Sequence, residues 1–97
     1  MKLRGKQLAY LRSLAHHLKP CVIIGKTGLT PSSINSIDGA LNHHELIKIK
    51  FLSGNKNDII DTLVKKNKCI IVGSIGKTLI IYKKSLDEKK RTIKIPF

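Results

Sequence analysis

Residues 20–31 read Pro-Cys-Val-Ile-Ile-Gly-Lys-Thr-Gly-Leu-Thr-Pro, and this stretch decides the fold. Cys21, Val22, Ile23 and Ile24 form a continuous apolar run that stops at Gly25, as a buried first strand does. Thr30-Pro31 is a helix start, because the threonine hydroxyl caps a free amide and proline at the first helical position gives up no N–H that the helix needs. Between them lies the loop Gly25-Lys26-Thr27-Gly28-Leu29.

Upstream, Leu8, Leu11, Ala15 and Leu18 recur at helical spacing with Leu14 beside them, so residues 5–18 are expected to form a first helix with one apolar face, ended by Pro20. Lys6 and His17 fall on its other side and Arg12 on its flank. Downstream of Pro31, Ile34, Ile37 and Leu41 mark the buried face of a second helix. Ile47-Lys48-Ile49-Lys50-Phe51 then alternates strictly, a strand with one apolar and one basic face. Asn55 is placed to cap a third helix with the stripe Ile59, Ile60, Leu63 and Val64, ending in Lys65, Lys66 and Lys68. Those lysines suit the negative end of a helix dipole.

Cys69–Val72 and Leu79–Tyr82 read as two strands joined across Gly73-Ser74-Ile75-Gly76-Lys77. A polar segment from Lys83 to Arg91 follows, and Ile93 and Ile95 are expected to add a last short strand. The order helix, strand, helix, strand, helix, strand, strand predicts an α/β sandwich with helices packed on a sheet, and right-handed crossovers between parallel neighbours.

At 97 residues, the chain is the size of one small domain, expected to span residues 1–97. Its 41% apolar and 26% charged residues support a core rather than a disordered tail. Nineteen Lys and Arg against six Asp and Glu give a net charge of +13, which calls for a polyanionic partner. The surplus is uneven. Residues 1–37 carry Lys2, Arg4, Lys6, Arg12, Lys19 and Lys26 and no acid before Asp38, so this third is the expected contact surface. Only Tyr10, Phe51, Tyr82 and Phe97 carry aromatic rings, which argues for backbone contact over an aromatic stacking platform.

Cys21 and Cys69 lie 48 residues apart with no C-x-x-C, so the reading is two small buried thiols in a reducing cytoplasm. No stretch approaches the length of a membrane span. The basic N-terminus is also compatible with an organellar presequence or a membrane-surface helix.

Glycines three apart occur at Gly25/Gly28 and Gly73/Gly76, a spacing that means little without context. The second pair joins two strands and reads as a turn. The first follows a strand and precedes a capped helix, where the missing side chains admit a sugar-phosphate chain, Lys26 supplies charge and the helix N-terminus favours an anion. A similar loop clamps the nucleic-acid backbone in KH modules; taken alone, it reads equally as a tight turn. Neither the NTPase phosphate loop nor the dinucleotide fingerprint occurs. His16-His17 and His43-His44 are adjacent pairs without metal-ligand spacing, and the scattered acids offer no catalytic pair. The expectation is therefore no catalysis, no metal and no cofactor. His44 and Glu45 are assigned local hydrogen bonds.

Four segments together resemble a known family: Leu14-Ala15-His16-His17-Leu18-Lys19-Pro20, Ile24-Gly25-Lys26-Thr27-Gly28-Leu29-Thr30, His43-His44-Glu45-Leu46-Ile47-Lys48-Ile49-Lys50 and Ile75-Gly76-Lys77-Thr78-Leu79-Ile80-Ile81-Tyr82. This pattern resembles the CRM domain, and more narrowly the stand-alone bacterial YhbY family, over essentially the whole chain. The resemblance implies a four-stranded mixed sheet with helices, KH-like and similar in shape to the C-terminal domain of a bacterial translation initiation factor. It also implies RNA contact through Gly25, Lys26, Thr27 and Gly28, followed by Leu29 and Thr30, and association with precursors of the large ribosomal subunit during ribosome biogenesis. Similar domains occur in group II intron splicing factors of plant organelles. Pro31-Ser32 departs from the family pattern, where an acid is common in the first turn of the second helix; its loss favours anion approach.

The expected function is thus that of a cytoplasmic, monomeric, non-enzymatic RNA-binding protein acting in ribosome assembly, with Arg4, Lys6, Arg12 and Lys19 extending the positive field of the loop. The alternatives are an interaction module for ribosomal proteins or anionic membranes that uses its charge for steering, a chaperone or splicing-type factor for other RNAs, and, more weakly, a DNA-binding protein.

Overall fold

The computed structural model describes residues 4–25, 28–52 and 55–83. Its elements are α1 Gly5–Ala15, β1 Pro20–Ile24, α2 Pro31–His44, β2 Leu46–Phe51, α3 Lys56–Lys66, β3 Ile70–Ile75 and β4 Thr78–Tyr82, in the predicted order. The expected strand at Ile93 and Ile95 lies outside the described residues, as does most of the polar segment before it.

Both predicted caps form. Thr30 Oγ1 accepts from the Ser33 N–H at 3.1 Å, and Asn55 Oδ1 accepts from the Asn57 N–H at 2.9 Å. The sheet order is β1-β2-β4-β3. β1 runs parallel to β2, while β4 is antiparallel to both neighbours, so the sheet is mixed.

Alternation in β2 divides the core. Ile47, Ile49 and Phe51 join Leu79 and Ile81 under Ile37 and Leu41 of α2 and Ile59 and Leu63 of α3. On the opposite face Leu11 and Ala15 of α1 pack on Leu46, Val72, Ile80 and Tyr82. The sheet is therefore a partition with α2 and α3 on one side and α1 on the other.

Four expectations need correction. β1 is an edge strand with its α1-side face uncovered: Ile24 is buried, but Cys21 is exposed and Ile23 is 61% exposed. The first helix stops at Ala15 instead of running to residue 18, and the chain leaves the helix well before Lys19, the residue Pro20 bars from the helical region; Leu14 and Leu18 are left exposed. Val64, placed on the buried stripe of α3, is 46% exposed, since it falls roughly 100° around the helix from Leu63. The turn between β3 and β4 is also shorter than expected. Gly73–Ile75 belong to β3, and Gly76-Lys77 alone make the turn, with Gly76 at φ 56°, the positive φ that two-residue hairpins require.

Candidate nucleic-acid interface

The Gly25–Thr30 loop sits where β1 ends and α2 begins. The Gly28 N–H donates to the Gly25 carbonyl at 3.0 Å, which holds the two glycines together. They are glycines for different reasons. Gly28 has φ 80°, the left-handed region that disfavours a side chain. Gly25 has no positive φ, and a Cβ there would meet nothing within 4 Å; its missing side chain leaves the backbone open to solvent. Lys26 and Thr27, two of the expected contact residues, lie outside the described residues.

The rest of the loop is anchored. Leu29 packs against the core beneath α2 and α3. The Thr30 hydroxyl is within 3.1 Å of both the Ser33 N–H and the Ser33 hydroxyl, so it caps α2. The first turn of α2 carries no acid, and the dipole there is not offset by a carboxylate.

The basic residues expected around the loop are not gathered at one point. Arg4 caps the start of α1, its N–H donating to Gln7 Oε1 at 2.8 Å, and Lys6 is exposed in the first turn. Eight residues of helix, about 12 Å, separate Arg4 from Arg12. Lys19 is exposed in the connection to β1. Arg12 lies over the sheet, where its Nη1 donates to the Val72 carbonyl at 3.1 Å. Its stem crosses Gly73, where a Cβ would stand 3.0 Å from Arg12 Cδ.

Two cations left out of the expected site belong to the same side. Lys48 and Lys50 of β2 alternate with Ile47, Ile49 and Phe51, so they project from the α1 face. The alternating pattern identified that face as basic; its neighbours depended on the sheet order. The carboxylates follow the opposite rule. Among the described residues Asp38 is on α2, Asp58 and Asp61 are on α3, and Glu45 is buried. Asp38 turns inward, accepting from Asn67 Nδ2 at 2.8 Å and lying 4.0 Å from Lys83 Nζ. The sheet thus separates the exposed described acids from the α1 face, which bears Arg12, Lys48 and Lys50.

Other groups have structural roles. Glu45 closes α2 at φ 57°; its N–H donates to the Leu41 carbonyl at 3.0 Å and its carbonyl accepts from the Lys83 N–H at 2.8 Å. Burial pushes the Cys69 thiol up to about 11. Desolvation raises that of Cys21 as well, so neither sulfur is a ready thiolate at neutral pH.

The model of the CRS1 / YhbY (CRM) domain family matches residues 3–83. The sequence is 42% identical over 91 residues to the "Probable RNA-binding protein YqeI" of Bacillus subtilis, covering 91% of this chain and 95% of that protein. It is 41% identical over 90 residues to a protein of Haemophilus influenzae named "RNA-binding protein", covering 90% and 91% of the two chains. The fold is similar to the solution structure of SAV1595 from Staphylococcus aureus, with a TM-score of 0.79, 38% identity, and 96% of this chain and 100% of that chain covered.

Proposed function

Because the chain belongs to the CRS1 / YhbY (CRM) domain family, we propose that it is a non-enzymatic, monomeric RNA-binding protein of the cytoplasm that associates with precursors of the large ribosomal subunit during assembly. The observation that carries the RNA reading is the uneven placing of the acids across the sheet: among the described residues the α1 side bears cations and no exposed acid. The names of the Bacillus and Haemophilus relatives agree with it. The ribosomal part rests on the resemblance to the stand-alone YhbY family.

In this reading Gly25, Lys26, Thr27 and Gly28 hold backbone phosphate, and Leu29 and Thr30 fix the loop to α2. Arg4, Lys6, Arg12 and Lys19 extend the positive field. An open backbone at Gly25 supports close approach of a phosphate.

The test is gradient sedimentation of a native extract at low and moderate salt, with a nuclease-treated control, alongside titration of purified protein with RNA. Salt- and nuclease-sensitive migration with large-subunit precursors is expected, with log K falling by roughly 0.7 per phosphate neutralised on a single strand. Lys26→Glu should weaken binding and reduce the salt slope. Sedimentation only at the top of the gradient at low salt overturns the ribosomal part. An affinity indifferent to salt overturns the phosphate-holding mechanism, and migration that survives nuclease favours a protein partner.

A further inference from the structure

The α1 side of the sheet is only partly covered. Cross-strand pairing sorts it into three rows. Leu46, Tyr82 and Ile70 form the first, beneath the helix. Lys48, Ile80 and Gly73 form the second, with Arg12 lying over Gly73. Ile23, Lys50, Thr78 and Ile75 form the third, open to solvent, where Ile75 is 71% exposed. Between the end of α1 and this open row is a groove of about 490 Å³, within the range of small-ligand clefts. Its apolar lining is Ile75 with the edge of the buried Ile80, and Arg12, Lys48, His16 and His17 line the rest.

Two features set this groove apart from an ordinary solvated sheet face. A half-exposed strand normally alternates apolar-in with polar-out, yet Ile75 in the groove points out to solvent, as does Ile23 at the far end of the same row. The Arg12 guanidinium is also held in place, by the Val72 carbonyl at 3.1 Å and by a stem lying flat on Gly73. A fixed planar fork with N–H groups to spare binds phosphate at a lower ordering cost than a free side chain.

An apolar floor beside a held guanidinium and a lysine matches the two halves of a nucleotide. A-form duplex keeps its base faces stacked inside, whereas an unpaired nucleotide exposes one. An acidic peptide could satisfy the cations but would leave the isoleucine floor without a matching flat surface. We propose that this groove seats one unpaired nucleotide of the bound RNA, its base against Ile75 and its phosphate on Arg12 and Lys48. The proposal rests on the RNA-binding reading and adds to it a preference for single strand over duplex.

The test compares wild type with Ile75→Ser and Lys48→Glu, binding a short fluorescein-labelled oligouridine and a duplex of equal length at low salt. Both positions are outside the buried core, and urea midpoints confirm that the variants fold. Ile75→Ser should lose about fivefold on the single strand, the effect of removing the apolar surface against one base, and less than about twofold on the duplex. Lys48→Glu should weaken both, since it removes a phosphate contact. A 4-thiouridine strand should crosslink at His16, His17 or the 70–83 segment. Wild-type single-strand affinity in Ile75→Ser, or crosslinks confined to residues 25–30, overturns the seat and leaves the groove to a protein side chain. Failure of the wild type to bind either RNA overturns the underlying RNA-binding reading, and the seat with it.

Discussion

Replacing Gly73 with alanine should destabilise the protein when Arg12 is present and stabilise it when Arg12 is absent. The new Cβ would lie 3.0 Å from Arg12 Cδ and 3.5 Å from Cγ, whereas carbon pairs favour about 3.5–4.0 Å. The arginine stem must give by a few tenths of an ångström, which stretches the bond from its Nη1 to the Val72 carbonyl, now 3.1 Å, towards the limit of hydrogen bonding. A hydrogen bond from a charged donor contributes about 1.5–3 kcal/mol, and the low end applies at a site water can reach. Against that, alanine in a strand gains about 0.5–1 kcal/mol over glycine by restricting the unfolded chain. Gly73 does not occupy the left-handed region, so alanine adopts its backbone without strain. The expected result is a loss of about 0.5–1 kcal/mol in the wild-type background, a gain of about 0.5–1 kcal/mol in Arg12→Ala, and a coupling of about 1.5 kcal/mol. Urea unfolding of the four proteins measures it. Equal effects of Gly73→Ala in both backgrounds would refute the packing of Arg12 on Gly73, and with it the fixed wall of the groove.

Leu63→Ala should cost about 2–5 kcal/mol in urea unfolding and Val64→Ala less than about 1 kcal/mol, because Leu63 is fully buried and its neighbour is 46% exposed; the reverse order would mean that α3 is rotated. Thiol reagents should modify Cys21 in the native protein and Cys69 only on unfolding, because Cys21 is exposed and Cys69 buried. The Cys69 thiol is raised from 9.0 to about 11, so the folded state holds its proton more tightly than the unfolded chain. That stabilisation is fully present below 9.0 and is lost as pH rises towards about 11, with a magnitude of about 2–3 kcal/mol. The alkaline loss should be smaller by that amount in Cys69→Ala; an unchanged pH profile would contradict it.

Features governed by neighbouring residues were legible in the sequence. Thr30-Pro31 and Asn55 identified the starts of α2 and α3 because capping is chemistry within one turn, and Ile47–Phe51 announced a two-faced strand because alternation is a property of the chain itself. Misreadings arose where the outcome depends on distant segments. An apolar run such as Cys21–Ile24 reads as buried, but whether it is an edge strand depends on the order β1-β2-β4-β3. Leu14 and Leu18 extended the helical period correctly, yet the helix ends at Ala15, well before Lys19 and Pro20. Gly73 looked like a turn residue because its actual requirement, close approach by Arg12, comes from 61 positions earlier in the chain. The candidate site follows the same division. Its loop was visible as contiguous residues, while the groove joins Arg12, Lys48 and Ile75 only once the sheet has formed.

The separation of charge gives the net surplus a direction. If the +13 were spread evenly, it would attract a polyanion to every side of the molecule. On the α2/α3 side Asp38, Asp58 and Asp61 offset the charge of Lys56, Lys65 and Lys66, whereas among the described residues no exposed acid offsets Arg12, Lys48 and Lys50 on the other face, so the field favours approach to the α1 side before contact is made. The proposed loop and groove contacts are then joined by the open row itself: Ile75, Thr78, Lys50 and Ile23 cross the sheet, and Ile23 is two residues from Gly25. Three strand spacings make that crossing about 14 Å. A single strand held at one end has its other end at high effective concentration over the second contact, so two individually weak seats reinforce each other. In the proposed reading this geometry replaces an aromatic platform: RNA affinity is distributed along a path of cations and aliphatic side chains, and its strength depends on both ends of the path being engaged by the same strand.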